Sequence, residues 1–279
     1  MTSMAAIPVQ SRGRDLRDGD LSGEDLAVKG EGDEVTGDVD DTVEDGNAEI
    51  KAGSETIRKA VMELECSNLS LWKESLSSYP SRIESLNKPN LVSLDEFYRN
   101  QLPSLLRRRN PNPHLTTSEL SDLMRWKLTR GKWRPRLLDF VSALDDSVVK
   151  SASEKAFRSL PDLSKAVNEL TVLKGVGPAT ASAVLAAYAP EVAPFMSDEA
   201  MEAALGNSKD YSLKQYLLFA DKLQKKAKEL SAEGETFTPS DVERALWSCA
   251  VGAKLLSSQS DPDPKVTDKT KNPKKKRKR

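Results

Sequence analysis

Apolar residues recur at three- and four-residue spacing from about Ser54 to Ser257, the period of amphipathic helices packed on a common core. Ile57, Val61 and Leu64 mark a first helix. Leu69 to Leu76 mark a second, ending before a Ser-Tyr-Pro-Ser turn at 78–81. A third runs from a Ser93 cap through Leu94, Phe97 and Leu102 to Leu106, kinked at Pro103. Its last residues, Arg107, Arg108 and Arg109, set cations at the negative helix end before Asn-Pro-Asn-Pro breaks the pattern. Thr116 and Glu119 have capping-box spacing and open a helix with Leu120, Leu123, Met124 and Leu128 on one face. Another helix begins near Pro135, and a weaker one lies between 146 and 160. Leu163, Ala166 and Leu170 describe a short helix, followed after a glycine-rich turn by an apolar run to Tyr188. Leu213 to Leu230 form a long amphipathic helix, with Lys222, Lys225, Lys226 and Lys228 on its solvent side. Thr238-Pro-Ser-Asp241 opens the last helix, with Val242, Ala245, Leu246 and Cys249 inward. No segment alternates β-branched and polar residues in strand fashion. The expected fold class is all-α: a compact multi-helix body between two disordered tails.

Charge changes this picture at the ends. The chain of 279 residues has a formal net charge of −1. That balance hides an acidic first fifty residues, with four Lys/Arg against fourteen Asp/Glu, and a basic end from Ser260, with nine Lys/Arg against three acids. Residues 1–53 have too little apolar surface to offset their ordering entropy and are expected to be disordered. The helical body spans 54–257, and 258–279 is a linker with a basic tail. Cys66 and Cys249 are too few for a disulfide framework or a metal cluster, so neither a metal nor another cofactor is expected. With no membrane-length apolar run, the chain reads as soluble.

The candidate chemistry centres on Leu173-Lys174-Gly175-Val176-Gly177-Pro178-Ala179-Thr180-Ala181. Two glycines flanking Val176, between helices, permit a tight hairpin, and Pro178 suits the first helical position. Backbone N–H groups at such a helix start face outward and attract an anion. The anion contacts expected on this basis, which the resemblance described below makes DNA-phosphate contacts, are Lys174, Gly175, Val176, Gly177, Ala179 and Thr180; the bland alternative is a tight αα-turn. A second candidate surface is the segment 125–136, with six cations in twelve residues. Here Arg125, Lys127, Arg130, Lys132, Arg134 and Arg136 would neutralise phosphates, while Trp126 and Trp133 stack on unpaired bases. The alternative is that both tryptophans anchor the core and the arginines pair with acids.

On Leu173, Gly175, Val176, Gly177, Thr180, Ala181 and Val184, residues of about 163–189 resemble the helix-hairpin-helix of the DNA glycosylase superfamily, as in a divergent eukaryotic nuclear member. The resemblance implies non-specific phosphate binding, and it implies that the aspartate opening the next helix stabilises charge on the deoxyribose as a base leaves. Asp198, eighteen residues after Thr180, is the residue in that place. The chain also departs from the family. Ala179 stands where bifunctional members carry a lysine, so the resemblance implies no lyase step. Glu199 adds a second negative charge beside Asp198, and Ala203 replaces an arginine.

Lys274, Lys275, Lys276, Arg277, Lys278 and Arg279 resemble a nuclear-localisation signal that engages a nuclear import receptor. The leading expectation is a nuclear protein that grips duplex DNA non-specifically, in the setting of DNA repair. The alternatives are a monofunctional DNA glycosylase using Asp198, and a non-enzymatic nuclear protein-interaction module.

Overall fold

The computed structural model describes residues 63–206, 210–232, 234 and 236–259, and every regular element among them is helical. In chain order these are α1 (Leu69–Ser77), α2 (Tyr79–Ser85), α3 (Leu91–Glu96), a π-helical turn (Phe97–Gln101), α4 (Leu102–Arg108), α5 (Thr117–Arg130) and α6 (Pro135–Ser142). Then follow α7 (Asp146–Ser159), α8 (Leu163–Thr171), α9 (Pro178–Tyr188), α10 (Asp198–Leu205), α11 (Leu213–Ser231) and α12 (Pro239–Gln259). The all-α class holds. The two tails and the expected helix at Ile57 and Val61 lie outside the described residues, and no described helix is long and apolar enough to cross a membrane.

Four local expectations are corrected. Residues 78–81 are not an open turn: Ser78 ends α1 and Tyr79 begins α2, whose first turn accepts Pro80 because that N–H would be unpaired anyway. Ser93 lies inside α3 rather than capping it. The N-cap is Asn90, in a left-handed conformation (φ 58°), and the Ser93 hydroxyl donates to the Asn90 carbonyl. Pro103 does not kink one long helix; the π-helical turn absorbs the break and Pro103 sits in the first turn of α4. On α11, Lys226 is buried, donating to Glu229 and to the Cys66 carbonyl, so it leaves the solvent face.

At the centre lies α9. Thr180 through Ala187 are all buried, which accounts for its lack of a polar face. It packs against α4, α5, α8 and α11. Small side chains let these helices approach closely, and the larger rings fill the space around them. Tyr98 stacks on Trp126 at 3.5 Å between centroids and donates its hydroxyl to the Ala183 carbonyl. Phe157 stacks on Tyr188 at the other end of α9.

The start of α5 shows how local chemistry sets the frame. Thr116 caps the Glu119 N–H, and Glu119 returns a bond to the Thr116 N–H. Arg109 then grips both Glu119 oxygens, at 2.6 and 2.7 Å, so α4 and α5 share one carboxylate. Burial opposes ionisation of Glu119, but Arg109 and Thr116 outweigh it and hold the pKa below the ordinary 4.5. A depressed folded-state pKa stabilises the fold above the unfolded value and ceases to do so as pH falls through the folded one. Glu119→Gln is therefore expected to lower unfolding free energy by about 1–3 kcal/mol at neutral pH. In acid, below the folded pKa, the urea-unfolding curves of variant and wild type should converge.

Candidate nucleic-acid interface

A cleft of about 720 Å³ opens where the end of α5, the α8–α9 hairpin, the start of α10 and the side of α12 meet. Its walls are built from backbone constraints first. The last turn of α5 ends at Gly131, and the Lys88 ammonium donates to the carbonyls of Thr129, Arg130 and Gly131 at 2.8, 2.8 and 3.2 Å. Those carbonyls are the unpaired end of the helix, so one cation both caps α5 and fixes the departure of the loop 131–134. Burial lowers the Lys88 pKa, with Glu199 opposing.

On the facing wall, the hairpin turns at Gly175, whose φ of +89° favours glycine. An added Cβ there would lie 3.0 Å from the Phe140 Cβ and 3.3 Å from the Leu137 carbonyl, so α6 packs directly on the turn. Gly177 differs: its φ is −101° and nothing lies within 4 Å of an added Cβ. Val176 turns its side chain into the core, leaving only its backbone to the turn, and Thr180 is buried as well. The N–H groups of Gly175, Gly177 and Ala179 find no acceptor among the described residues. Lys174 is exposed, its ammonium 4.5 Å from the centre of the Phe140 ring.

Asp198 begins α10 and lines this same cleft. The segment before it is pinned from three sides. The Met196 N–H donates to the Ser182 hydroxyl on α9, the Ser240 hydroxyl donates to the Ala193 carbonyl, and the Ser197 hydroxyl donates to Glu243 at 2.5 Å. Asp198 is exposed and accepts a 2.8 Å bond from the Tyr211 hydroxyl. Burial, followed by that bond to Asp198, pushes the Tyr211 pKa up to about 12, so the phenol remains a donor.

Below the cleft sits a buried ion pair. Arg130 donates to Glu243 at 3.1 Å, with both side chains almost wholly removed from solvent. The guanidinium lies 4.2 Å from the Trp247 ring centre and within cation–π range of Trp126, Phe195 and Tyr79. Burial opposes its charge, but Glu243 and Tyr79 raise its pKa above the ordinary arginine value.

The basic segment therefore divides. Lys127, Lys132 and Arg134 line the cleft beside Gly175, Gly177, Ala179 and Asp198. Trp133, over half exposed, stands in the same loop. Two expected contacts are corrected. Trp126 is fully buried, stacked on Tyr98 and donating its indole N–H to Asp95. Arg130 is spent on Glu243. Arg125 pairs with Asp122 at 2.5 Å on an exposed face, and Arg136 is exposed outside the cleft lining. Lys274 to Arg279 lie outside the described residues.

Sequence reasoning missed Lys88, Tyr211 and Glu243. Each acts through a partner distant in the chain, and no local spacing announces it. No family model matches the chain, and no curated protein or solved structure matches it.

Glu243→Ala would leave Arg130 charged, buried and unpaired, an expected loss of about 3–5 kcal/mol by denaturant unfolding. The double variant Arg130→Met with Glu243→Leu is expected to lose less than Glu243→Ala alone, since neither charge then remains buried.

Proposed function

We propose that this protein holds duplex DNA non-specifically by its phosphate backbone, as a nuclear protein of the helix-hairpin-helix glycosylase type acting in DNA repair. The observation that carries this reading is the common cleft. The hairpin N–H groups that have no acceptor among the described residues line one opening with the cations Lys132 and Arg134, so a bent or opened strand can meet both. Backbone N–H groups and cations recognise phosphate without regard to base, which suits non-specific grip. Trp133 beside them offers a ring face to an unstacked base. Nuclear import rests on the terminal run Lys274 to Arg279.

A second reading is favoured by one specific observation: Asp198 shares that opening and is held in orientation by Tyr211. A carboxylate there would stabilise positive charge developing on a deoxyribose whose base departs, the chemistry of a monofunctional glycosylase.

The two readings separate in one set of measurements. Duplex affinity of the full chain should fall with salt on a log–log slope of about −3, roughly −0.9 for each phosphate met by Lys132, Arg134 and Lys174. Gly177→Asp should weaken binding strongly without loss of thermal stability, because an N-cap aspartate fits α9 while its charge repels phosphate. Salt-insensitive binding, or full affinity in Gly177→Asp, would contradict the phosphate grip. Base release from damaged duplexes that disappears in Asp198→Asn, with binding retained, would establish the second reading; release unchanged by that substitution would exclude Asp198.

A further inference from the structure

A second groove, of about 620 Å³, lies between α10 and α12. Its floor is apolar and made of small side chains, with Ala203 and Ala204 on one helix and Ala250 and Ala253 on the other. Small residues leave space that larger side chains of a partner can fill. The rim is acidic, with Glu63 and Glu65 at the start of the described chain and Glu199 and Glu202 on α10. Two lysines stand among these acids, and both are engaged: Lys222 donates to the Ala204 carbonyl at 2.8 Å, and Lys254 faces Glu199 at 3.5 Å. Glu63, Glu65 and Glu202 have no ion pair among the described residues. Glu199 and Lys254 line the cleft as well as this groove, so a charge placed at Glu199 acts on both.

We propose that residues 55–62 of this chain lie in the groove as a helix, with Ile57 and Val61 on the alanine floor and Arg58 at the α10 carboxylates, and that this raises the affinity of the adjoining cleft for phosphate by offsetting Glu199. The effect on the cleft rests on the phosphate grip proposed above; the docking does not.

Three observations select this occupant. The described chain begins at Glu63, on the groove wall, so the segment starts at the groove with no linker to span and closes almost no loop. Ile57 and Val61 have helical spacing, and Leu64, the next member of that stripe, is buried in the core. Ser54 and Glu55 suit the cap and first turn of such a helix. Finally, Arg58 and Lys59 outnumber Glu55, a sign opposite to that of the rim. The basic end from Ser260 matches the rim but not the floor, since Val266 is its only apolar residue besides proline. A guanidinium beside Glu199 weakens the repulsion that this carboxylate exerts on an incoming phosphate, and salt screens the effect.

Hydrogen exchange of the full chain, read by mass spectrometry, tests the docking without DNA. A helix this short is marginal alone in water, so slow exchange of its amides reports that it is packed. The amides of 55–62 are expected to exchange about tenfold or more slowly in the wild type than in the variant Ile57→Ser with Val61→Ser, which keeps the charge. Ala253→Trp, or Ala203→Trp should the first disturb α9, fills the groove and is expected to speed 55–62 likewise. Continued protection of Thr180 to Ala187 in α9 shows that the body remains folded. Fast exchange of 55–62 in the wild type, or protection that survives filling of the groove, overturns the docking. Protection lost on dilution gives the groove to a second copy and overturns it too. Duplex affinity at low salt is then expected to fall several-fold in Ile57→Ser with Val61→Ser and to approach the wild type at high salt. Unchanged affinity overturns the effect on the cleft. Absence of duplex binding by the wild type overturns the phosphate grip and with it that effect, while the exchange rates still decide the docking.

Discussion

The ion pair between Arg130 and Glu243 is the constraint on which the cleft depends. It joins the end of α5 to α12 beneath the cleft floor, and Glu243 also receives the Ser197 hydroxyl immediately before Asp198. One carboxylate thus fixes the helix end that carries Lys127 and the turn that presents Asp198. Two charges buried this deeply are not an efficient source of stability, since desolvation offsets much of their attraction. What they supply is position. The aromatic faces of Trp247, Trp126, Phe195 and Tyr79 surround the guanidinium and share in keeping it charged and fixed.

Around that centre, each wall of the cleft is held by a distinct device. Lys88 caps α5 and sets the loop 131–134; Gly175 lets α6 lie against the hairpin; Ser182 and Ser240 fasten the chain between α9 and α10. Walls pinned in this way, with N–H groups that have no acceptor among the described residues and with exposed cations, would lose little entropy on meeting an anion. The exposed groups, Lys132, Trp133 and Arg134, sit on the one short connection between two well-anchored helices.

Much of this was legible from residue order, and the limits are physical. The helical period, the Thr116–Glu119 box, Pro178 at a helix start and the Gly-Val-Gly turn are local signals, written within a few residues of where they act. Trp126 and Trp133 look alike by such signals, both flanked by cations. Only tertiary packing separates them: Trp126 is claimed by Tyr98, Asp95 and Phe195, while Trp133 is over half exposed and meets no ring among the described residues. The same limit applies to Arg130, whose partner is 113 residues away, and to Lys88, whose acceptors lie more than forty residues on. Asp198 follows only from the resemblance of the hairpin to that of the glycosylase superfamily, whereas Tyr211, which donates to it, sits in a connection with no pattern of its own.

The proposed phosphate grip requires a nucleic-acid backbone lying across this cleft, against both the hairpin and the loop 131–134. Amide chemical-shift mapping with a short duplex tests it most directly. The largest shifts are then expected on Gly175, Gly177 and Ala179 together with Gly131, Lys132, Trp133 and Arg134. Shifts confined to another face, such as Lys225 and Lys228 on α11, or no shifts at all, would contradict it.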